Sequence, residues 1–148
     1  MLIALAVALG GLSLYLNKDW FARDNIQITH RSRPLRAAFL RGKRPAEIAD
    51  VNPIIFGFNQ RLKLTSIKVI PVSAIETNKY PHPIWHLTTN SNSIPTKTFG
   101  YGQPIRGMRP AVKGATADPL EPDVKYRLFI EAGSIKAQHD FVPEARPP

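Results

Sequence analysis

Apolar and polar residues are distributed very unevenly along this 148-residue chain. The first sixteen residues, MLIALAVALGGLSLYL, carry no charged side chain. From position 51 onward the pattern changes to short runs of β-branched and aromatic residues cut by Pro, Gly and Asn. That is the signature of strands joined by turns. The runs are 53–58 (PIIFGF), 61–72 (RLKLTSIKVIPV), 84–90 (IWHLTTN), 94–102 (IPTKTFGYG), 126–132 (YRLFIEA) and 135–142 (IKAQHDFV). Asn59-Gln60 separates the first two. Within 61–72 the alternation changes phase near Thr65–Ser66, which predicts a bulge. In 84–90, Trp85, Leu87 and Thr89 share one face and His86 shares the other with Ile84 and Thr88. Pro95 predicts an edge strand at 94–102, because proline cannot donate to a ladder. Residues 75–83 read as a turn-rich connection, 103–119 as a long irregular one, and 143–148 as a tail without core-forming residues. No helix is predicted between 51 and 142. Six or seven short strands over about ninety residues imply an antiparallel sandwich.

The apolar start predicts a different kind of element. Sixteen helical residues reach ~24 Å, short of a ~30 Å hydrocarbon core. Extension to Phe21 closes the gap, with Lys18 snorkelling and Trp20 at the interface. The expectation is a single transmembrane anchor at 1–21, with a cleaved signal peptide as the rival reading. The expected organisation is then anchor 1–21, basic linker 22–50, β domain 51–142 and tail 143–148. Within the linker, 25–30 (NIQITH) alternates like a short strand. Pro34 and Pro45 bracket a short amphipathic helix with Leu35, Phe39 and Leu40 on one side; a solvated basic linker is the other reading.

Charge sharpens that picture. The net charge is +9. Residues 18–44 supply +6 of it through Lys18, Arg23, Arg31, Arg33, Arg36, Arg41, Lys43 and Arg44 against Asp19 and Asp24. Basic residues directly behind an apolar segment suit anionic headgroups, at ~1 kcal/mol per residue near the surface. Lys18, Trp20, Arg31, Arg33, Arg36, Arg41, Lys43 and Arg44 are therefore the candidate membrane-surface contacts, and membrane lipid is the expected first partner. A nucleic-acid domain would more often spread its charge over a folded face. The positive-inside rule by itself puts the β domain in the cytoplasm. The layout of apolar start plus β domain favours an extracytoplasmic, periplasmic or cell-surface, placement.

Little catalytic chemistry is offered. The chain has no cysteine, so disulfides, thiolate catalysis and cysteine metal sites are excluded. His82 and His86 lie ~13 Å apart if extended, too far to share a metal without a bend. His139-Asp140 with Ser134 does not form a triad, because neighbours on a strand face apart. FGYGQPIRG lacks the spacing of a phosphate loop. No cofactor, metal or small-molecule substrate is implied, and an enzyme is not expected. Phe99, Tyr101, Arg106, Met108 and Arg109 could form an aromatic–basic partner contact; the plain alternative is a loop packed over one sheet.

One stretch carries a recognisable pattern. Leu120-x-Pro122-x-x-x-Tyr126, running into Leu128 and Ile130, resembles the corner before the F strand of fibronectin type III and immunoglobulin-like domains. The resemblance implies a tyrosine corner: Pro122 fixes the crossing between sheets, and the Tyr126 hydroxyl bonds a backbone group of that corner. It covers 51–141, with the pattern confined to 120–132. Trp85 falls on the third strand, as in immunoglobulin domains, yet the immunoglobulin cysteines are absent. The expectation is a non-catalytic, membrane-anchored, immunoglobulin-like sandwich serving as a structural or accessory subunit of a membrane or envelope complex, with other protein subunits as partners. The alternative is an anchored module that binds an anionic ligand (lipid headgroup, cell-wall polymer or nucleic acid) through 31–44. A pilin-like subunit is disfavoured, because the apolar segment lacks an early Glu.

Overall fold

The computed structural model describes residues 1–16, 26–34, 41–42, 50–91 and 93–147. Helix α1 spans Leu2–Leu16 and is followed by strand β1, Ile28–Ser32. Strands β2 (Ile54–Leu62) and β3 (Ser66–Pro71) come next, then a short helix α2, Val72–Thr77. The remaining strands are β4 (Trp85–Thr88), β5 (Thr96–Gly100), β6 (Arg109–Pro110), β7 (Tyr126–Ala132) and β8 (Ile135–Phe141). They form two antiparallel sheets, ordered β1-β2-β5 and β6-β4-β3-β7-β8.

Period-two alternation explains why the two sheets meet. Ile54, Phe56 and Phe58 of β2 are buried, as are Ile67 and Val69 of β3 and Tyr126, Leu128 and Ile130 of β7. All belong to one apolar cluster. Aromatic rings cross between the sheets: Phe56 of β2 meets Phe141 of β8 edge-on at 5.0 Å, and Trp85 of β4 lies 6.0 Å from Phe99 of β5. Such pairs are worth ~0.5–1.5 kcal/mol beyond the area they bury.

The N-terminal expectation is overturned. Helix α1 is 15 residues long, and none of its residues is buried. That corresponds to ~22 Å against a ~30 Å apolar core. Among the described residues no helix is long and apolar enough to cross a membrane. The expected transmembrane anchor at 1–21 is thereby corrected, and the single-pass, extracytoplasmic placement built on it loses its basis. The extension through Lys18 and Trp20 lies outside the described residues, as does the helix expected around Leu35, Phe39 and Leu40.

Three further differences have physical causes. The phase slip at Thr65–Ser66 is a change of sheet, not a bulge: the chain leaves β2 at Leu62, buries Leu64 completely and enters β3 at Ser66. Buried Ser93 fastens this crossing, accepting the Leu64 amide hydrogen at 2.8 Å and donating its own amide to the Leu64 carbonyl at 3.0 Å. The irregularity instead lies at Asn59-Gln60, inside β2, where pairing with β5 shifts register between Gly57 and Leu62. Residues 72–77 form α2 because Pro71 ends the strand, and the Thr77 hydroxyl donates to the Ser73 carbonyl one turn back. The tail also contributes to the core: Pro143 is fully buried, and Ala145 bridges to Val51.

Candidate binding groove

The groove is built on the outer edge of β4. Strand β6 covers that edge for two residues only, pairing Pro110 with Leu87 and Arg109 with Thr88. Beyond it the chain leaves the sheet and returns. The Ala111 amide donates to the His86 carbonyl at 3.1 Å, and the Asp118 amide donates to the Ile84 carbonyl at 2.9 Å. Between these two bonds, residues 111–118 arch outward with their ends close together, in the manner of an Ω-loop. The crest is a turn in which the Ala115 amide donates to the Val112 carbonyl at 3.0 Å. Gly114 makes that turn at φ +78, a backbone conformation that L side chains rarely adopt.

Tyr101 anchors the returning limb of the arch. Its hydroxyl donates to the Asp118 carbonyl at 2.7 Å, and its ring meets Trp85 edge-on at 5.1 Å. Burial, reinforced by Asp118 and Tyr126, pushes the phenol pKa well above the ordinary tyrosine value. The hydroxyl therefore keeps its proton and remains a donor throughout the physiological range.

Between β4 and this loop lies an open groove of about 730 Å³. Trp85, Leu87, Ile105, Met108 and Val112 supply its apolar lining, while His82, His86, Gln103 and Asp118 give it polar points. Ile105 is buried and fixes the floor; Val112 is 65% exposed at the crest. The His86 pKa is held below the ordinary histidine range, first by burial and then by Lys68, with Glu131 partly opposing. A mostly apolar concavity with few polar groups is suited to apolar side chains of a ligand or partner.

The five residues expected to form one partner contact take different roles in the structure, with Phe99 and Tyr101 both against the Trp85 ring. Phe99 is a core residue, 7% exposed. Tyr101 holds the arch, and Met108 lines the groove. Arg106 and Arg109 are exposed, and Arg109 donates to the Asn90 side chain at 3.0 Å. Sequence reasoning did not single out Ile105, Gln103, Val112 or Asp118, because nothing in 103–119 repeats or alternates. His82 and His86, whose spacing in an extended strand is too long to share a metal without a bend, take a different place. They line the groove, and among the described residues no group of three metal-ligating side chains occurs.

The remaining candidates fall elsewhere. Arg31, Arg33 and Arg41 are exposed; Lys18, Trp20, Arg36, Lys43 and Arg44 lie outside the described residues. At the corner, Leu120 is buried and the Tyr126 hydroxyl accepts the Glu121 amide hydrogen at 3.0 Å. Pro122 leads into Asp123, which adopts φ 60 and donates its amide to the Pro143 carbonyl at 3.1 Å. His139 and Asp140 diverge as strand neighbours do: His139 faces His30, and Asp140 pairs with Arg127 at 2.6 Å. No family model matches the chain, and neither a curated protein nor a solved structure matches it.

Proposed function

We propose that this chain is a non-catalytic, protein-binding β domain that acts as a structural or accessory subunit. Its partner docks in the groove between β4 and the 111–118 arch. The observation that carries this reading is the groove itself: an open concavity with Met108 and solvent-exposed Val112 beside a buried apolar floor. Exposed apolar residues around a concave surface are the usual mark of an interaction site. The arch is held at both ends by backbone bonds and by Tyr101, so binding would not have to order it first. We read the two-sheet body as immunoglobulin-like, on the strength of the Leu120–Tyr126 corner.

The test is co-purification of the full chain from its native cells. Wild-type protein is expected to retain a partner at near-stoichiometric yield. Met108→Arg and Val112→Asp are expected to lose it while keeping the wild-type circular dichroism spectrum and melting temperature. Retention of the partner by both variants would refute the assignment of the groove.

A further inference from the structure

The two sheets approach each other at a second place, the open edge between β1 and β8. Strand β1 pairs only with β2, and β8 only with β7, so each ends its sheet among the described residues. Across this gap His30 Nδ1 faces His139 Nε2 at 2.6 Å, with ring centroids 4.9 Å apart and planes inclined at 56°. The two residues are 109 positions apart in the chain, and each belongs to a different sheet.

We propose that His30 and His139 form a two-histidine site for a divalent late first-row transition-metal ion such as Zn2+ or Cu2+. Three features of the site support it. The two facing atoms are both imidazole nitrogens, the ligand type that suits zinc and copper. The two nitrogens share a hydrogen bond at 2.6 Å; a bound metal takes the place of the shared proton, which leaves to solvent. The separation then opens to roughly 3.3 Å, the spacing of two nitrogens at ~2.0–2.1 Å on a tetrahedral zinc. His30 is exposed at its edge and His139 half-buried, so rotation of the His30 ring opens that distance while β8 stays in place.

Among the described residues, the charged strand neighbours of the two histidines point away from the site, and Asp140 reaches His139 only through its field. Arg31 on β1 and Asp140 on β8 are strand neighbours of the two histidines, and neighbours on a strand point to opposite faces. The Asp140 carboxylate is engaged by Arg127 at 2.6 Å and by Lys125 at 3.5 Å. The Phe141 ring lies 6.1 Å from the His30 ring and gives the site an apolar wall. With two protein nitrogens, the remaining coordination positions fall to water from the open edge. Such a site would fasten the two sheet edges together, and binding confined to the folded state raises stability with metal concentration.

The experiment uses tag-free full-length protein, cleared of metal and titrated with Zn2+ and with Cu2+ at pH 7.5. The expected result is one saturable site per chain and a rise in melting temperature. With Zn2+ the imidazole nitrogen resonances of His30 and His139 should shift, and with paramagnetic Cu2+ they should broaden away, while those of His82 and His86 stay in place. His30→Ala and His139→Ala should each abolish both the binding and the rise, and His82→Ala should preserve them. His30 is exposed, so its variant carries the test even if His139→Ala fails to fold. Absence of saturable binding would overturn the proposal, as would a thermal shift that survives in His30→Ala.

Discussion

The Tyr126 hydroxyl accepts the Glu121 amide hydrogen at 3.0 Å, so a side chain at the start of β7 closes the corner that leads into it. The Tyr126 ring also stacks on Phe141 of β8 at 5.8 Å. Tyr126 thus joins the corner to the core alongside buried Leu120. Tyr126→Phe keeps the ring and removes the acceptor, so a cost of ~1–2 kcal/mol is expected. Tyr126→Ala removes both and should cost ~3–5 kcal/mol. Urea denaturation of the two variants separates the hydroxyl from the ring.

Asp123 sits in the same corner with φ 60, among the described residues the one position other than glycine in the left-handed region. Asp, Asn and Gly adopt it at small cost, whereas β-branched residues do not. Asp123→Val should therefore destabilise by ~1–2 kcal/mol, while Asp123→Asn stays within about 0.5 kcal/mol of wild type. The comparison of midpoints in the same denaturant checks it.

Tyr101→Phe removes the bond that holds the arch at Asp118. About 1 kcal/mol of stability should be lost. Hydrogen exchange gives the sharper readout. The Asp118 amide, bonded to the Ile84 carbonyl, should exchange faster in the variant, while the amides of β7 keep their protection. Partner retention should weaken in parallel, because the groove loses a fixed wall.

His86 makes stability depend on pH. Its folded pKa is lowered, chiefly by burial and then by Lys68, so below the ordinary value the unfolded chain binds more protons than the folded one. The contribution is therefore fully present above pH ~6.5 and is lost as pH falls through the lowered value. Wild type should lose more stability than His86→Gln between pH 7.5 and pH 5. Equal losses in the two proteins would assign the acid sensitivity to other groups.

What the sequence made legible followed from local periodicity. Alternation identified the buried faces of β4 and β7, because Trp85, Leu87, Leu128 and Ile130 each repeat at every second position. The resemblance carried by Leu120, Pro122 and Tyr126 implied a hydroxyl-to-backbone bond at a corner, and the Tyr126 hydroxyl makes one with the Glu121 amide. Local pattern also misled. The slip at Thr65–Ser66 looks the same whether a strand bulges or changes sheet; the difference is set by Leu64 and Ser93, 29 residues apart. The charge-free start suggested a membrane span, yet among the described residues no helix is long and apolar enough to cross a membrane. The groove was hidden because its walls, β4 and 103–118, are joined by backbone bonds that accept any residue. The His30–His139 contact was hidden by separation, since no local pattern relates positions 109 apart.

The central claim is that the face formed by β4 and the arch is where a partner sits. Site-specific photo-crosslinking in native cells tests it most directly. A photoreactive residue is placed at Val112 on the crest and, as the control, at Lys136 on β8, at the opposite end of the five-stranded sheet. The predicted result is one discrete protein adduct from position 112, absent from position 136 and suppressed by Met108→Arg. No adduct at 112, or the same adducts at both positions, would contradict the account.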